Sequence, residues 1–160
     1  SCADLLAQCY LKTYTLPVAI VRCGNLYGGG DLNFNRIIPG TIQSALENRR
    51  PIIRSDGTPL RDYLHVQDAV SAYLALGDSE EVGPFNFGTE TPTSVIDLVT
   101  LILKLMKSKL KPVVKNEASN EIAQQWLSSK KARTRLKWAP KHDLKSGLAD
   151  TIEWYRKFFE

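Results

Sequence analysis

The sequence predicts an α/β fold built on parallel strands. Residues 1–14 carry apolar side chains at positions 2, 5, 6, 9 and 10, which is the spacing of an amphipathic helix. After the break at Leu16-Pro17, the apolar run Val18–Cys23 is too short for a helix and suits a strand covered on both faces. Helix, turn and buried strand make half of a βαβ unit, so we expect earlier strands of this sheet to lie outside these 160 residues.

The middle of the chain predicts alternating helices, turns and short strands. Residues 35–48 predict a helix whose regular part begins near Pro39, because proline is tolerated in a first turn. Asp-Gly in "SDGTP" predicts a turn, and Phe85 and Phe87 fall on one side of a brief strand in "GPFNFG". The other elements predicted here are strands at Pro51–Arg54 and Arg61–Val66 and a helix at Asp68–Leu76.

The last third of the chain predicts three helices. Thr93 or Ser94 is placed to cap an amphipathic helix over Val95–Met106. The elements predicted after it are a small strand in "KPVVK", an irregular stretch at 116–128, a basic helix capped by Ser128 or Ser129 and ending near Leu136, and an amphipathic helix at Leu144–Phe159.

Composition excludes several classes of protein. Hydrophobic residues make up 43% of the chain and charged residues 24%, so a packed core is expected and disorder is not. The formal net charge is +4, and the densest basic patch is "SSKKARTRLKWAPKHDLK". No aromatic-basic platform or zinc-finger spacing accompanies that charge, so we expect no nucleic-acid partner. An anionic small molecule is the alternative partner that a basic surface suits.

Cysteine and histidine usage predicts a metal-free protein of a reducing cytoplasm. The three cysteines, Cys2, Cys9 and Cys23, form no CxxC pair, and His65 and His142 are far apart with no neighbouring ligand set. Cys2 and Cys9 lie seven residues apart, on one face of the first helix, where small buried thiols are common. No uninterrupted apolar run approaches about 18 residues, so no membrane span is predicted.

A candidate ligand site lies where the first strand ends, in "VAIVRCGNLYGGGD". In open parallel sheets ligands bind beyond the carboxyl ends of the strands, and Arg22, Cys23, Gly24 and Asn25 occupy that end. Glycines allow close approach of backbone to a ligand, and the Asn25 amide offers a donor and an acceptor. A glycine-rich connection without function explains the same pattern, and the run is neither GxGxxG nor a Walker loop.

Two arginines could bind a diphosphate. Arg36 and Arg61 stand next to predicted turns or helix starts, and the guanidinium fork matches a diphosphate. The simpler alternative is that Arg61 pairs with Asp62 or another carboxylate. Asp56, Asp62 and Asp68 are interpreted as turn, strand and helix-start residues, and no nucleophile–base arrangement is recognised, so no catalytic residue is predicted.

Several motifs together resemble the C-terminal half of the extended short-chain dehydrogenase/reductase family. They are "LPVAIVRCGNLYGGGD", "NRIIPGTI", "RPIIRSDGTPLRDYLHVQDAVSAYLAL", "FNFGTE" and "LSSKKARTRLKWAP". The resemblance covers residues 1–160 in order and favours the members that act on nucleotide sugars, with CDP-glucose 4,6-dehydratases most similar. It implies the last parallel strands of an NAD(P)-binding Rossmann-like fold, interleaved with a small α/β substrate-binding lobe.

The resemblance also implies an activity. Full-length members of this kind are NAD-dependent lyases that convert CDP-glucose to CDP-4-keto-6-deoxyglucose and water, here expected in polysaccharide biosynthesis. The family's catalytic Tyr-x-x-x-Lys would end directly before Ser1 and NAD would bind mainly to the absent N-terminal half, so we expect this chain alone to be inactive. The full-length form is expected to be a cytoplasmic homodimer. The alternatives are another nucleotide-sugar 4,6-dehydratase, a UDP-sugar 4-epimerase, or a non-catalytic nucleotide or nucleic-acid binding module.

Site roles follow from the resemblance position by position. It implies substrate contacts for Asn25, Arg36, Ile53, Arg54 and Arg61, and cofactor contacts for Cys23 and Gly24. Glu117 and Ala118 stand near the place where some UDP-sugar relatives have a further phosphate-binding arginine. The lower rim of the pocket is therefore expected to be built differently, through Gln125 or Trp126.

Overall fold

Short strands, most of them paired in parallel, form the framework of the protein in the computed structural model, which describes residues 2–118 and 121–160. The strands are β1 (Ala19–Cys23), β2 (Asn25–Tyr27), β3 (Ile52–Ile53), β4 (Leu60–Arg61), β5 (Tyr63–His65), β6 (Gly83–Phe87), β7 (Thr93–Ser94), β8 (Val113–Val114) and β9 (Gln124–Gln125). The helices are α1 (Cys2–Tyr14), α2 (Ile37–Leu46), α3 (Val66–Gly77), α4 (Val95–Leu105), α5 (Lys130–Leu136) and α6 (Leu144–Phe159). This alternation confirms the predicted α/β class.

Two parallel strand pairs follow one another at Gly24. β1 pairs with β6, and β2 pairs with β5. Between the pairs, the Gly24 amide donates to the Phe87 carbonyl at 2.9 Å, and the Asn25 amide donates to the Asp62 carbonyl at 2.7 Å. The chain thus leaves the first pair and enters the second without losing a backbone hydrogen bond.

The remaining strands are very short. β3 pairs in parallel with β8, while β4 lies between β7, which is antiparallel to it, and β9, which is parallel. The predicted strand over Arg61–Val66 is divided in the structure, because Asp62 turns its side chain into the interior between β4 and β5. The prediction that 116–128 is irregular is wrong at β9, whose two exposed glutamines carry no apolar alternation that would indicate a strand.

Three buried clusters join the helices to the strands. The largest cluster lies between α2, α4 and α6, and the second packs α3 and α5 on β6. The third lies between β3 and α4. Phe85 and Phe87, both fully buried on one face of β6, belong to the second cluster, as their spacing predicted.

Helix starts match the predictions in part. The Ser94 hydroxyl accepts from the Asp97 amide at 3.1 Å, which confirms it as the cap of α4. Ser129 precedes α5 but does not cap it with its side chain. Its buried hydroxyl instead accepts from the Gly88 amide at 2.8 Å and donates to the Gly88 carbonyl at 3.0 Å. Ser129 therefore ties α5 to the end of β6.

Helix α1 lies on the outside of the described structure. It has no buried residue, and Cys2 and Cys9 are exposed, so the expectation of buried thiols is wrong. A bidentate ion pair joins α1 to β1. Arg22 of β1 donates through Nε and Nη2 to the two carboxylate oxygens of Asp4, each at 2.8 Å. This contact lowers the pKa of Asp4, and it places the Arg22 guanidinium on α1.

Candidate functional site

A cavity of about 1300 Å³ opens where β1 gives way to β2. Its walls come from the loop that follows β2, from the first half of α2, from β3 and from the β4–β5 segment. Because Gly24 directly follows β1, which runs parallel to β6, the cavity begins at the carboxyl end of this strand, where α/β proteins bind ligands, and it continues along β2.

Six of the seven predicted site residues line this one cavity. They are Gly24, Asn25, Arg36, Ile53, Arg54 and Arg61. Cys23, the seventh, is not among the lining residues. Its thiol is half-buried against the second cluster, and this burial raises its pKa.

The cavity is rich in charge. Among the described residues, six cationic side chains and three carboxylates line it. Sequence reasoning identified three of the cations, and the structure adds the other three. The full set is Arg36, Arg49, Arg50, Arg54, Arg61 and Lys115, with Asp31, Glu117 and Glu121 as the carboxylates. A cavity with this excess of positive charge favours an anionic ligand.

Arg61 is the most enclosed of the cations for which an ion pair is seen. Its side chain is 14% exposed. One terminal nitrogen, Nη1, donates to the carbonyl of Leu60 at 2.9 Å, and the other, Nη2, donates to Glu121 Oε1 at 3.3 Å. The alternative in which Arg61 pairs with a carboxylate is thus partly correct, although the partner is Glu121 and not Asp62.

Asp62 has a structural role. It is 1% exposed and accepts from the Thr89 amide at 3.0 Å, the Thr89 hydroxyl at 2.5 Å and the Glu90 amide at 3.3 Å. With Asp62 turned inward, its neighbours Arg61 and Tyr63 are free to line the cavity. Side chains two apart on extended backbone share a face, so the pattern "RDY" contained this signal.

Tyr63 is a lining residue that sequence reasoning missed. Burial raises its pKa to about 12, a shift that Arg61 opposes and Glu121 supports. The phenol is therefore neutral at physiological pH and keeps a proton that it can donate to an acceptor in the cavity.

Arg36 and Arg54 lie at the exposed rim. Arg36 donates from Nη1 to Asp31 Oδ2 at 3.1 Å, with its side chain 62% exposed. Arg54 donates to the Asn35 side-chain oxygen at 3.4 Å. Contacts this exposed contribute little energy by themselves, so both guanidinium groups are free to turn towards an anion.

Contacts inside the protein explain two glycines that the sequence suggested were kept for a ligand. A Cβ at Gly24 would lie 2.9 Å from the Asp62 carbonyl oxygen, and one at Gly28 would collide with the Val66 side chain. These glycines let β2 lie close to β5 and to the start of α3. That they also permit close approach of a ligand stays a prediction.

The lower rim differs from the expectation. Glu117, Ala118 and Glu121 line the cavity there, whereas Gln125 and Trp126 do not. Gln125 is paired with Arg61 in β9, and Trp126 is exposed. The rim is acidic where a phosphate-binding arginine was considered.

None of the described helices is both long and apolar enough to cross a membrane. Across residues 2–118 and 121–160, no three His, Cys, Asp or Glu side chains are grouped so that they could hold a metal ion.

The parallel strands and the helices packed on them define a Rossmann-like α/β fold, and a cationic cavity lies beyond the carboxyl end of β1. The family model described as the NAD dependent epimerase/dehydratase family matches residues 1–88. The chain belongs to that family. The match confirms the predicted resemblance to extended short-chain dehydrogenases/reductases.

Curated relatives agree with this assignment. The chain is 32% identical over 158 residues to a dTDP-glucose 4,6-dehydratase of Mycolicibacterium smegmatis, covering 96% of this chain and 47% of the relative. It is 31% identical over 166 residues to a dTDP-D-glucose 4,6-dehydratase of Homo sapiens, covering 98% and 47%. The chain therefore spans about half the length of these relatives.

Solved structures confirm the predicted fold. A dTDP-glucose 4,6-dehydratase from Bacillus anthracis in complex with NAD superposes with a TM-score of 0.87 at 30% identity, covering 97% of this chain and 49% of that one. A UDP-glucose 4-epimerase from Thermotoga maritima with UDP-glucose gives a TM-score of 0.93 at 27% identity, covering 99% and 52%.

Proposed function

We propose that this chain supplies the substrate-binding half of an NAD-dependent nucleotide-sugar 4,6-dehydratase, with its last Rossmann strands and its substrate lobe interleaved in residues 1–160. The observation that carries the proposal is that Asn25, Arg36, Arg54 and Arg61, from four separate segments, line one cavity at the strand ends. The relatives are nucleotide-sugar dehydratases by name, and a nucleotide sugar is the kind of anion that this cavity suits.

Different residues of the cavity suit different parts of a nucleotide sugar. Arg61, the enclosed cation, is suited to the diphosphate, because a guanidinium shielded from water binds an anion more strongly than an exposed one. Arg36 and Arg54 at the rim add positive charge. Ile53 of β3, which is buried against α4, offers an apolar wall to the base. Asn25 and the neutral phenol of Tyr63 offer hydrogen bonds to the sugar or its phosphates.

We propose that this chain contacts only a small part of NAD, near the nicotinamide. Gly24 lines the cavity at the end of β1 and is therefore the one of the two predicted cofactor contacts that can face a nicotinamide there, whereas Cys23 packs against the second cluster. The glycine at 24 is explained by the Asp62 carbonyl, so it is not itself a sign of NAD. Bound NAD would supply a hydride acceptor and donor; the residues of this chain hold and orient the sugar nucleotide.

The identity of the base is the finer part of the proposal. The resemblance favours CDP-glucose, whereas the relatives named above carry dTDP- and UDP-sugars in their names. We also propose that the full-length protein is a cytoplasmic homodimer that serves polysaccharide biosynthesis. This chain alone is proposed to be inactive. A UDP-sugar 4-epimerase is the alternative within the same family.

Binding of nucleic acid is disfavoured by the basic segment itself. Arg133 contacts Glu90 at 2.6 Å and Arg135 contacts Glu81 at 2.8 Å. Lys131 lies over the Phe85 ring, 3.7 Å from its centre. These cations are therefore occupied within the protein and are not arranged to follow a phosphate backbone.

Calorimetric titration with CDP-glucose, UDP-glucose and dTDP-glucose tests the proposal. We expect one of them to bind, and Arg61→Ala to weaken that binding by about 1.5–3 kcal/mol, the value of a hydrogen bond to a charged group. Arg135→Ala, which removes a cation far from the cavity, is the matched control and should leave the dissociation constant unchanged. Equal binding by Arg61→Ala and wild type would remove Arg61 from the site. Product formed by the purified chain with NAD would contradict the predicted inactivity.

A further inference from the structure

The contact between Arg61 and Glu121 joins a largely enclosed cation to a more exposed carboxylate. The Arg61 side chain is 14% exposed, whereas that of Glu121 is 36% exposed. Their 3.3 Å contact is long for a charge-assisted hydrogen bond. Glu121 can therefore turn towards water at small cost, while Arg61 is held in place by its own bond to the Leu60 carbonyl.

A carboxylate and a phosphate use the same donors on a guanidinium. Nη1 of Arg61 is bonded to the Leu60 carbonyl, whereas Nη2 contacts Glu121, which lines the same cavity as Arg61. The nearby Tyr63 phenol, whose pKa responds to both charges, lies on the same side of the cavity. An anion that binds through Nη2 of Arg61 therefore competes with Glu121 for that nitrogen.

The other lining carboxylates differ in this respect. Asp31 contacts Arg36, and Glu117 contacts Lys115 at 3.5 Å. Both of these cations are far more exposed than Arg61. Water screens such pairs strongly, so their carboxylates compete little with a ligand.

We infer that Glu121 is an internal competitor for the ligand's diphosphate: it occupies Arg61 until a nucleoside diphosphate displaces it, and it thereby lowers the affinity of the cavity. The inference rests on the proposed function and adds a residue that sets the strength and selectivity of binding. A ligand with one weak negative charge would not displace Glu121, whereas a diphosphate would.

The test is calorimetric titration of the 160-residue chain with CDP, UDP and dTDP. Glu121→Gln keeps the size of the side chain and removes its charge, and we expect about threefold to fivefold tighter binding, the range for a partly exposed ion pair. Glu117→Gln is the matched control, because it removes a lining carboxylate that does not contact Arg61, and we expect a change below about twofold.

Both glutamine variants are also made in the Arg61→Ala background. We expect Glu121→Gln to have no effect there, because its action requires the guanidinium. Unchanged or weaker binding by Glu121→Gln alone would overturn the inference, and so would an equal gain with and without Arg61. Should Arg61→Ala weaken binding while Glu121→Gln fails to strengthen it, only the inference falls; should wild type bind none of the three nucleotides, the proposed function falls and the inference with it.

Discussion

Replacing Asp62 by Asn tests whether the buried carboxylate joins two parts of the fold. The carboxylate accepts three hydrogen bonds, from the Thr89 amide, the Thr89 hydroxyl and the Glu90 amide. An Asn side chain keeps one oxygen for Thr89 and turns its NH₂ group towards the Glu90 amide, which then has no acceptor. A hydrogen bond to a charged group is worth about 1.5–3 kcal/mol, and a buried donor left without a partner costs about 1–3 kcal/mol.

We therefore expect Asp62→Asn to lower the free energy of unfolding by about 2–4 kcal/mol. For a chain of this length that is a drop of roughly 5–15 °C in the midpoint of thermal unfolding. Urea unfolding followed by circular dichroism measures the free energy, and differential scanning calorimetry measures the midpoint. The matched control is Asp56→Asn, since Asp56 is exposed in a turn and accepts only from the neighbouring Thr58. Its unfolding midpoint should stay near that of wild type.

A stability of Asp62→Asn within about 0.5 kcal/mol of wild type would refute this reasoning, because substitutions away from such buried groups usually fall in that range. The result would mean that the Thr89–Glu90 turn keeps its place without the carboxylate.

The remaining predictions concern the strand junction and the pH dependence of stability. Gly24→Ala should lower the free energy of unfolding by about 1–3 kcal/mol, because its Cβ would lie 2.9 Å from the Asp62 carbonyl oxygen; an unchanged urea midpoint would show that β2 and β5 can separate freely. Burial and the neighbouring His142 lower the pKa of His65 in the folded protein, against a smaller opposing effect of Asp68. The unfolded chain therefore binds a proton at His65 more tightly, so this contribution to stability is complete above the unfolded pKa of about 6.5 and is lost as pH falls through the lower folded pKa. His65 caps α3, since its Nδ1 accepts from the Gln67 amide at 3.4 Å, and Asn can take over this cap. Urea midpoints between about pH 7.5 and 5.5 should fall more in wild type than in His65→Asn, and identical slopes would contradict this.

The parts of the fold with strong local patterns could be predicted from the sequence. The apolar run that became β1 and the amphipathic spacing of α4 and α6 depend on neighbours within one element, so they are visible in a single sequence. The caps show the limit of this reasoning. Ser94 and Ser129 look alike in sequence, yet Ser129 bonds to Gly88, which is 41 residues away.

The site was predictable where each residue type suits its ligand. Asn25, Arg36 and Arg61 were identified from their residue types and Arg54 from the family resemblance, and the structure places all four on one cavity. What the sequence could not show is the pairing of Arg61 with Glu121, 60 residues further on, since no periodicity links them. The internal reason for Gly24 could not be seen in the sequence either, because the atoms that crowd it belong to Asp62, which lies far along the chain.

Arg61 and Asp62 are neighbours in the chain, but their side chains serve different purposes. Arg61 lines the cavity, whereas Asp62 is buried in the interior. Glu90, held beside Asp62, in turn accepts hydrogen bonds from the Ser129 amide, just before α5, and from the Arg133 side chain within α5. A redesign that shifts the backbone at Arg61 and Asp62 to admit a different ligand would therefore disturb the Thr89–Glu90 turn and, through Glu90, Ser129 and α5. Changes in ligand preference are therefore easier to obtain at the exposed rim around Arg36, where side chains can be substituted without disturbing the buried contacts of Asp62.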